Sequence, residues 1–336
     1  MNIGVVGTGT VASWASSILN QLNSPKIKLY ACFDTNEAKG NEFKEKFHYL
    51  HAYKNIEDLL NDKEIDVIYI AVPNHLHKEI AMKALNANKN VVLEKPFAIN
   101  DQDAEEILNL AKKNNLFISE ALWPMFLPSY KMIKEEIAKG TIGEIVSGEI
   151  MMLDFVMFLE RVKKLETGGG SLLDGGPYTL GCLTYFFGTD IKEVKSVTRK
   201  LDSGVDAEDN IIVTYNNGVE VKIRQTIDCP HEKHQEYFEI VGTKGKIKSD
   251  VVSNPHHVDV LDLNNSVLKS IDVPPQIKNQ GMPPVSGYEY EWIAFEKAIS
   301  SGEKECLEIP HSVTLKMSQI MTEIRKRADI KFPFEN

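Results

Sequence analysis

The sequence has few cysteines and no long apolar run. Its four cysteines, Cys32, Cys182, Cys229 and Cys306, are scattered and form no C-x-x-C pair. This usage is typical of free thiols in a reducing compartment and not of a disulfide framework. Nowhere do about 18 apolar residues follow one another, so no membrane span is expected. Met1 leads directly into a strand-like run without a basic leader, and we therefore expect a soluble, cytoplasmic protein.

Positive charge is also in short supply. The 336 residues include 38 lysines and arginines against 48 aspartates and glutamates, which gives a formal net charge of −10. The densest basic run is Arg325-Lys326-Arg327, near the end of a predicted helix. Such a surface repels polyanions, so nucleic acid is not an expected partner. At this length, two domains of roughly 100–200 residues each are expected.

Short apolar runs alternate with amphipathic stretches through the first 121 residues. Residues 66–72 (DVIYIAV) are almost wholly apolar, as in a parallel strand whose sheet is covered on both faces. Regular alternation of strands and helices is typical of a doubly wound α/β fold. The pattern predicts an N-terminal Rossmann domain over residues 1–121, ending with a strand near residues 116–119.

Strands dominate residues 122–336, which predicts an α+β domain with a large, mainly antiparallel sheet. Asn216-Asn217-Gly218 marks a hairpin turn, because Asn and Gly tolerate positive φ. One helix is expected near residues 170–187 and a surface loop in the proline-rich stretch 274–284. Two final helices, near 288–300 and 312–327, are candidates to pack against the first domain.

A glycine turn lies between the first strand and the first helix. Gly7-Thr8-Gly9-Thr10-Val11-Ala12 has the pattern G-x-G-x-x-A. In the context strand, tight turn, helix, this pattern predicts a dinucleotide site: Gly7 permits the turn and Gly9 lets the backbone approach a pyrophosphate. The helix N-terminus adds a favourable field for the anion. We expect Gly7, Gly9, Thr10 and Val11 to contact the cofactor.

Asp34 ends the second strand, followed by Thr35. A carboxylate at this place accepts hydrogen bonds from the adenosine ribose and repels a 2′-phosphate. This favours NAD over NADP, although nearby Lys39 leaves NADP open. The alternative for Asp34 is a helix N-cap.

Two further motifs follow the next apolar strands, where ligands lie in open α/β sheets. The first, Pro73-Asn74-His75-Leu76-His77, comes after the third predicted strand, and Glu94-Lys95-Pro96 comes after the fourth. A lysine beside a nicotinamide is readily desolvated, which lowers its pKa. The alternative for Lys95 is an ordinary solvated lysine.

The third motif is Gly168-Gly169-Gly170-Ser171-Leu172-Leu173-Asp174-Gly175-Gly176-Pro177-Tyr178. Asp174 and Tyr178 are four residues apart, so on a helical turn they share a face. A carboxylate and a phenol there could hold and deprotonate a substrate hydroxyl, and a neighbouring lysine would lower a phenol's pKa from about 10. Taken alone, the segment fits a glycine-rich turn beside a core tyrosine better than it fits a catalytic pair.

Together, the three motifs resemble the Gfo/Idh/MocA oxidoreductases in order and spacing. Tyr178 stands where the family more often has histidine. The chain is similar to the dimeric dihydrodiol dehydrogenase and glucose–fructose oxidoreductase branch in three features: Tyr178, Ser119-Glu120-Ala121-Leu122-Trp123 and Gly242-Thr243-Lys244-Gly245. Relatives in that branch are typically NADP-linked, and Asp34 and Thr35 depart from that pattern.

The resemblance implies a catalytic pair, Lys95 and Tyr178, with Asp174 orienting the substrate. It implies cofactor contacts from the glycine turn and from other positions, and an open sheet face that often forms an oligomer interface, as in a homodimer or homotetramer. The further cofactor contacts expected are Asp34, Thr35, Pro73, Asn74, His77, Glu94, Lys95 and Trp123.

These expectations define an NAD(P)-dependent dehydrogenase or reductase acting on a CH–OH group of a sugar, polyol or diol. A non-catalytic NAD(P)-binding sensor on the same fold is one alternative, because fold alone does not decide function. An imine or enone reductase is another. Cys229, His231 and His234 are metal-ligand residue types, but no second cluster accompanies them, so no metal is expected.

Overall fold

The computed structural model describes residues 1–278 and 287–335. The chain divides into two compact units. The first comprises Met1–Trp123 and Pro275–Leu315, and the second comprises Pro124–Pro274 and Lys316–Asn336. This division differs from a cut at residues 121 and 122, because a late segment that contains the first of the two final helices groups with the first unit.

The first unit contains a six-stranded parallel sheet in the order β3-β2-β1-β4-β5-β6, the arrangement of a Rossmann fold. All four residues of its β4 strand are buried, as expected for a strand covered on both faces. The strands are β1 (Asn2–Val6), β2 (Lys28–Phe33), β3 (His51–Tyr53), β4 (Val67–Ile70), β5 (Asn90–Glu94) and β6 (Ile118–Ala121).

Helices connect these parallel strands and cover their apolar faces. The buried core is rich in valine, isoleucine, leucine and alanine from both the strands and the helices. The helices are α1 (Thr10–Leu22), α2 (Glu37–Phe47), α3 (Ile56–Asn61), α4 (His77–Asn86) and α5 (Asp101–Lys113).

The second unit is built on an eight-stranded sheet in the order β14-β13-β12-β11-β7-β10-β9-β8. Its β7–β10 pair is parallel, and its other pairs are antiparallel. The strands are β7 (Ile145–Leu153), β8 (Ile191–Lys200), β9 (Asp206–Tyr215), β10 (Glu220–Thr226), β11 (Gln235–Gly242), β12 (Lys246–Ser249), β13 (His257–Leu261) and β14 (Val267–Asp272).

Three helices of the second unit precede β8, and two helices end the chain. The former are α6 (Pro128–Ala138), α7 (Ser171–Asp174) and α8 (Gly176–Phe187). The latter are α9 (Tyr288–Ser300), in the first unit, and α10 (His311–Arg327).

The predicted fold class is confirmed: a parallel Rossmann sheet is followed by a separate, mainly antiparallel sheet. The hairpin at residues 216–218 joins β9 to β10, with Gly218 at φ 89°. The strand expected at 116–119 begins instead at Ile118, because the Leu116 N–H is bonded to the Ala111 carbonyl at the end of α5.

Other predicted boundaries differ from the structure. The helix expected over 170–187 is divided into α7 and α8 at Gly175. Short elements such as β3, α3, β12 and β14 were missed because each has only three to six residues. Most of the predicted loop at 274–284 lies outside the described residues. Within 1–278 and 287–335, no helix has the length and apolar composition needed to cross a bilayer.

Candidate active site

The two glycines of the turn after β1 have different surroundings. Gly7 has φ +93°, and a Cβ atom there would lie 2.5 Å from the Ala71 carbonyl oxygen, so a side chain would strain the backbone and clash. A Cβ atom at Gly9 would have no atom within 4 Å. Gly9 therefore leaves open space beside the start of α1.

The start of α1 is suited to binding an anion. Gly9 is the N-cap, and among the described residues no side chain caps this end and no acidic side chain lies in the first turn. The first N–H groups of the helix and its positive end are thus available to a ligand. Thr10 is exposed and Val11 is half-buried at this end. The open space and the uncapped helix fit the pyrophosphate of NAD(P).

Asp34 ties the end of β2 to the glycine turn. Its Oδ2 accepts hydrogen bonds from the Thr8 hydroxyl at 2.6 Å and the Thr8 N–H at 3.2 Å, and its Oδ1 accepts one from the Asn36 N–H at 2.9 Å. Partial burial opposes ionisation, but the hydrogen bonds from Thr8 and Asn36 outweigh it and lower the pKa of Asp34. The N-cap alternative for Asp34 is wrong, because the Asn36 side chain caps α2. Thr35 is exposed beside it.

His77 connects the segments that follow β4 and β5. Its Nδ1 lies 2.8 Å from the Pro96 carbonyl oxygen, and its Nε2 lies 3.0 Å from the Val72 carbonyl oxygen. Burial lowers the pKa of His77 to about 4, so the ring is neutral at pH 7. The ring thereby holds the Glu94-Lys95-Pro96 turn close to the segment after β4. A contact between His77 and a cofactor stays a prediction. Pro73 is exposed and Asn74 is half-buried in the same segment.

Lys95 follows the last residue of β5 and is half-buried. The register pairs Val6 of β1 with Ile70 of β4, and Ile70 with Leu93 of β5. The glycine turn, the His77 segment and Lys95 therefore follow three neighbouring strand ends on one edge of the sheet. This edge is where the sequence predicts the nicotinamide.

Buried carboxyl groups surround the base of Lys95. Glu94 accepts hydrogen bonds from the Tyr69 hydroxyl at 2.5 Å and the Lys95 N–H at 3.2 Å, and burial raises its pKa to about 7 against the effects of Tyr69 and Lys95. Glu120 accepts the Phe97 N–H at 3.0 Å, and burial likewise raises its pKa to about 7. Glu291 of α9 is 0% exposed, and burial, with the nearby charge of Glu94, raises its pKa well above the ordinary value.

Sequence reasoning missed the positions of Glu120 and Glu291 in this cluster. The available signal was an acidic residue inside an otherwise apolar segment, as in Ile118–Leu122 and Tyr290–Phe295. Trp123, predicted to line the cofactor site, is 7% exposed and stacks on Tyr288 with ring centroids 5.5 Å apart. Tyr288 was also missed, because its partner lies 165 positions earlier in the chain.

In the second unit, the glycine-rich segment carries the other predicted catalytic residues. Asp174 ends α7, and Tyr178 lies in the first turn of α8, where its N–H donates to the Gly175 carbonyl at 3.0 Å. Arg161 forms an ion pair with Asp174 at 2.8 Å, and Asp174 is only 15% exposed. Sequence reasoning missed Arg161, because nothing in the local pattern links it to Asp174.

The residues considered as metal ligands do not assemble. Among the described residues, no group of three or more His, Cys, Asp or Glu side chains is arranged to hold a metal ion. His231 lies in a short 3-10 helix, and the exposed His234 faces Asp154 at 3.6 Å.

Two family profiles match the chain. The oxidoreductase family with an NAD-binding Rossmann fold matches residues 1–121, and the GFO/IDH/MocA C-terminal domain matches residues 130–248.

Characterised relatives align over nearly the full length. Trans-1,2-dihydrobenzene-1,2-diol dehydrogenase of Mus musculus is 27% identical over 98% of this chain and 97% of that enzyme. The scyllo-inositol 2-dehydrogenase (NADP(+)) IolU of Bacillus subtilis is 29% identical over 91% of each chain.

Solved structures share the fold at lower identity. Levoglucosan dehydrogenase, in complex with NADH and levoglucosan, superposes with a TM-score of 0.85 at 21% identity over 98% of this chain and 97% of that one. KijD10, a 3-ketoreductase from Actinomadura kijaniata in complex with NADP and TDP-benzene, gives a TM-score of 0.84 at 22% identity over 97% of each chain. With both of its domains matched, the chain belongs to the Gfo/Idh/MocA family of NAD(P)-dependent oxidoreductases.

Proposed function

We propose that this enzyme transfers a hydride between nicotinamide and a hydroxyl-bearing carbon of a sugar, polyol or diol. The observation that carries the proposal is Lys95, half-buried after β5 on the same sheet edge as the uncapped glycine turn. Support for the substrate class comes from the diol and inositol dehydrogenases that align over 91–98% of the chain.

The protein's own groups handle the proton and the alignment. When bound, the nicotinamide ring accepts or releases the hydride. In the oxidation direction Tyr178 starts as a phenolate, takes the proton of the substrate hydroxyl as the carbon gives up its hydride, and ends as a neutral phenol. The positive charge of Lys95 favours the phenolate that begins the step, because it lowers the pKa of the phenol. Asp174, held by Arg161 at 2.8 Å, accepts a hydrogen bond from a neighbouring substrate hydroxyl and orients it.

The most direct test is a substrate panel. Purified enzyme is mixed with NAD⁺ or NADP⁺ and with trans-1,2-dihydrobenzene-1,2-diol, scyllo-inositol, levoglucosan and common aldoses, and the NAD(P)H absorbance band is followed. We expect activity with at least one of these compounds. Cofactor binding without turnover on alcohols, carbonyls, imines or enones would instead favour the sensor alternative.

The lysine role is tested with Lys95→Met. This change removes the ammonium group but keeps the apolar stem, so we expect the Kd for the cofactor to stay within a few-fold while kcat falls at least roughly tenfold, the low end for a proton-transfer group. The matched control is Lys112→Met, on the exposed surface of α5. Unchanged kcat in Lys95→Met would rule out the assigned role.

We propose NAD as the preferred cofactor. The hydrogen bonds that lower the pKa of Asp34 keep a negative charge where the 2′-phosphate of NADP would approach. NADP stays an alternative, since IolU is an NADP(+) enzyme by name. Calorimetric Kd values for both cofactors compare the two directly.

A homodimer or homotetramer formed through the open face of the second sheet is also proposed, in the cytoplasm. Val197 of β8 is 74% exposed and Ile212 of the neighbouring strand β9 is 36% exposed, and adjacent exposed apolar residues are a feature of interaction surfaces. All four cysteines are free and buried, as suits a reducing compartment. Light scattering on purified protein measures the assembly, and a monomer at micromolar concentration would contradict it.

A further inference from the structure

Two buried aspartates of β9 lie against the segment that carries Asp174 and Tyr178. Asp206 is 1% exposed and Asp209 is 0% exposed. The Oδ2 atom of Asp206 accepts the N–H of Leu172 at 2.5 Å, in the first turn of α7. Gly170 has φ +114°, and a Cβ atom there would overlap Oδ1 of Asp206. The start of α7 is therefore packed directly on this carboxylate.

The second aspartate reaches α8 through a glutamine. Asp209 accepts hydrogen bonds from the Thr198 hydroxyl at 2.8 Å and from Gln225 Nε2 at 3.3 Å. The Oε1 atom of Gln225 in turn accepts the hydroxyl of Thr179 at 2.7 Å. Thr179 is the residue after Tyr178, so the two aspartates hold the catalytic segment at both of its ends.

The surroundings of Asp206 and Asp209 favour different protonation states for the two carboxyl groups. Burial raises the pKa of both, and the charge of Asp206 raises that of Asp209 further. The Leu172 N–H and the guanidinium of Arg325 both favour the ionised form of Asp206. Arg325 is fixed by two 2.8 Å hydrogen bonds to Glu335. Two adjacent buried carboxyls do not readily both ionise, and these contacts favour the ionised form at Asp206 and the protonated form at Asp209.

We propose that Asp206 and Asp209 are positioning residues for Tyr178, with Asp206 fixing α7 through Leu172 and Asp209 fixing α8 through Gln225 and Thr179. The inference rests on the proposed catalytic role of Tyr178. Neither aspartate needs to touch the substrate. Their effect is on geometry, where a misplacement of about 1 Å can cost on the order of 100-fold in rate.

The proposal predicts different responses to asparagine at the two positions. Asp209→Asn copies a protonated acid: its amide donates as the acid would, and Gln225 can rotate its own amide to match. Asp209→Asn should therefore restore most of the kcat that Asp209→Leu loses. Asp206→Asn keeps an oxygen for the Leu172 N–H but removes the negative charge that strengthens this bond and that lies near Arg325, so we expect kcat to fall about 10- to 100-fold with the Kd for NAD⁺ unchanged. The control is Asp202→Asn, an exposed aspartate of the same unit.

The kinetic outcomes separate this inference from the proposed function. Wild-type kcat in Asp206→Asn, with Tyr178→Phe inactive, would overturn the positioning role. Equal losses in Asp206→Asn and Asp209→Asn would also overturn it, because the two groups would then have the same charge. Full activity in Tyr178→Phe would instead refute the proton-transfer role proposed for Tyr178, on which this inference rests.

A measurement without substrate follows the segment itself. Amide hydrogen exchange is compared over a peptide covering residues 170–179. We expect at least tenfold faster exchange in Asp206→Asn than in the wild type, and near wild-type exchange in Asp209→Asn. Unchanged protection in Asp206→Asn would contradict the proposal. If Asp206→Asn does not fold, Gln225→Met is used instead, because it removes the hydrogen bonds that connect Asp209 to Thr179. Wild-type kcat and wild-type exchange in Gln225→Met would overturn the inference.

Discussion

Glu120→Gln tests whether a buried carboxyl beside the Lys95 turn is protonated in the folded enzyme. Burial raises the pKa of Glu120 from an ordinary value of 4.5 to about 7. Below pH 4.5 the group is neutral in both the folded and the unfolded chain. As the pH rises from 4.5 to about 7, the unfolded chain loses its proton first, so the folded state loses stability across this window and is least favoured above it.

The size of the effect follows from that difference. At about 1.36 kcal/mol per pKa unit, the loss is at most about 3 kcal/mol, and less where Glu94 shares the effect. The amide introduced by Glu120→Gln keeps an oxygen for the Phe97 N–H but never ionises. We therefore expect this variant to match the wild type near pH 4 and to be more stable by about 1–3 kcal/mol at pH 8.

Urea unfolding followed by tryptophan fluorescence is a suitable assay. The three tryptophans, Trp14, Trp123 and Trp292, all belong to the first unit, so the signal reports on the unit that contains Glu120. Glu42→Gln, on the exposed surface of α2, is the matched control and should follow the wild type at every pH. Equal unfolding midpoints for Glu120→Gln and the wild type from pH 5 to pH 8 would refute the reasoning.

Three further predictions concern the site itself. Gly7→Ala should destabilise the first unit by at least about 1–3 kcal/mol, because the position has a positive φ and a Cβ atom there would clash with Ala71. Gly9→Ala should fold normally and raise the Kd for NAD⁺ at least several-fold. Thermal unfolding measures both stabilities, and normal folding of both variants would contradict this. Asp34→Ser should improve the Kd for NADP⁺ relative to NAD⁺ by about tenfold, and an unchanged ratio in calorimetry would show that Asp34 does not select the cofactor. Arg161→Met should raise the KM for the best panel substrate about 3- to 10-fold, because it removes the ion pair that holds Asp174. Lys163→Met is the control. An unaltered KM in Arg161→Met would contradict the prediction.

The sequence was sufficient to predict the parts of the fold that depend on local pattern. Apolar strands such as 67–70 and the turn at Gly7 follow from periodicity and backbone freedom, and these place Lys95 on the correct sheet edge. The distant residues that contact Asp34, His77 and Asp174 could not be predicted from the sequence. The bond from Asp34 to Thr8, both ring contacts of His77 and the ion pair of Asp174 with Arg161 depend on how distant segments meet.

Two expectations, the N-cap alternative for Asp34 and the continuous helix through residue 175, were wrong. Asp34 and Asn36 are both good N-cap residues, and only the path of the chain after β2 decides that Asn36 caps the helix. The expected helix over 170–187 was interrupted at Gly175, where two consecutive glycines lower helix propensity. The glycine pair was therefore a usable signal, whereas the choice between Asp34 and Asn36 depends on the path of the chain.

The return of α9 to the first unit has a consequence for how the protein is made. Trp292 packs edge-on against Tyr69 with ring centroids 5.1 Å apart, and Phe295 lies 6.3 Å from Phe117. During translation, all the strands of the first sheet and then those of the second are therefore synthesised before Trp292 and Phe295, which complete the first core. A fragment ending at residue 123 would contain Tyr69 and Phe117 without the rings that pack on them. Chimeras that exchange domains between family members therefore need to include the 275–315 segment with the N-terminal portion.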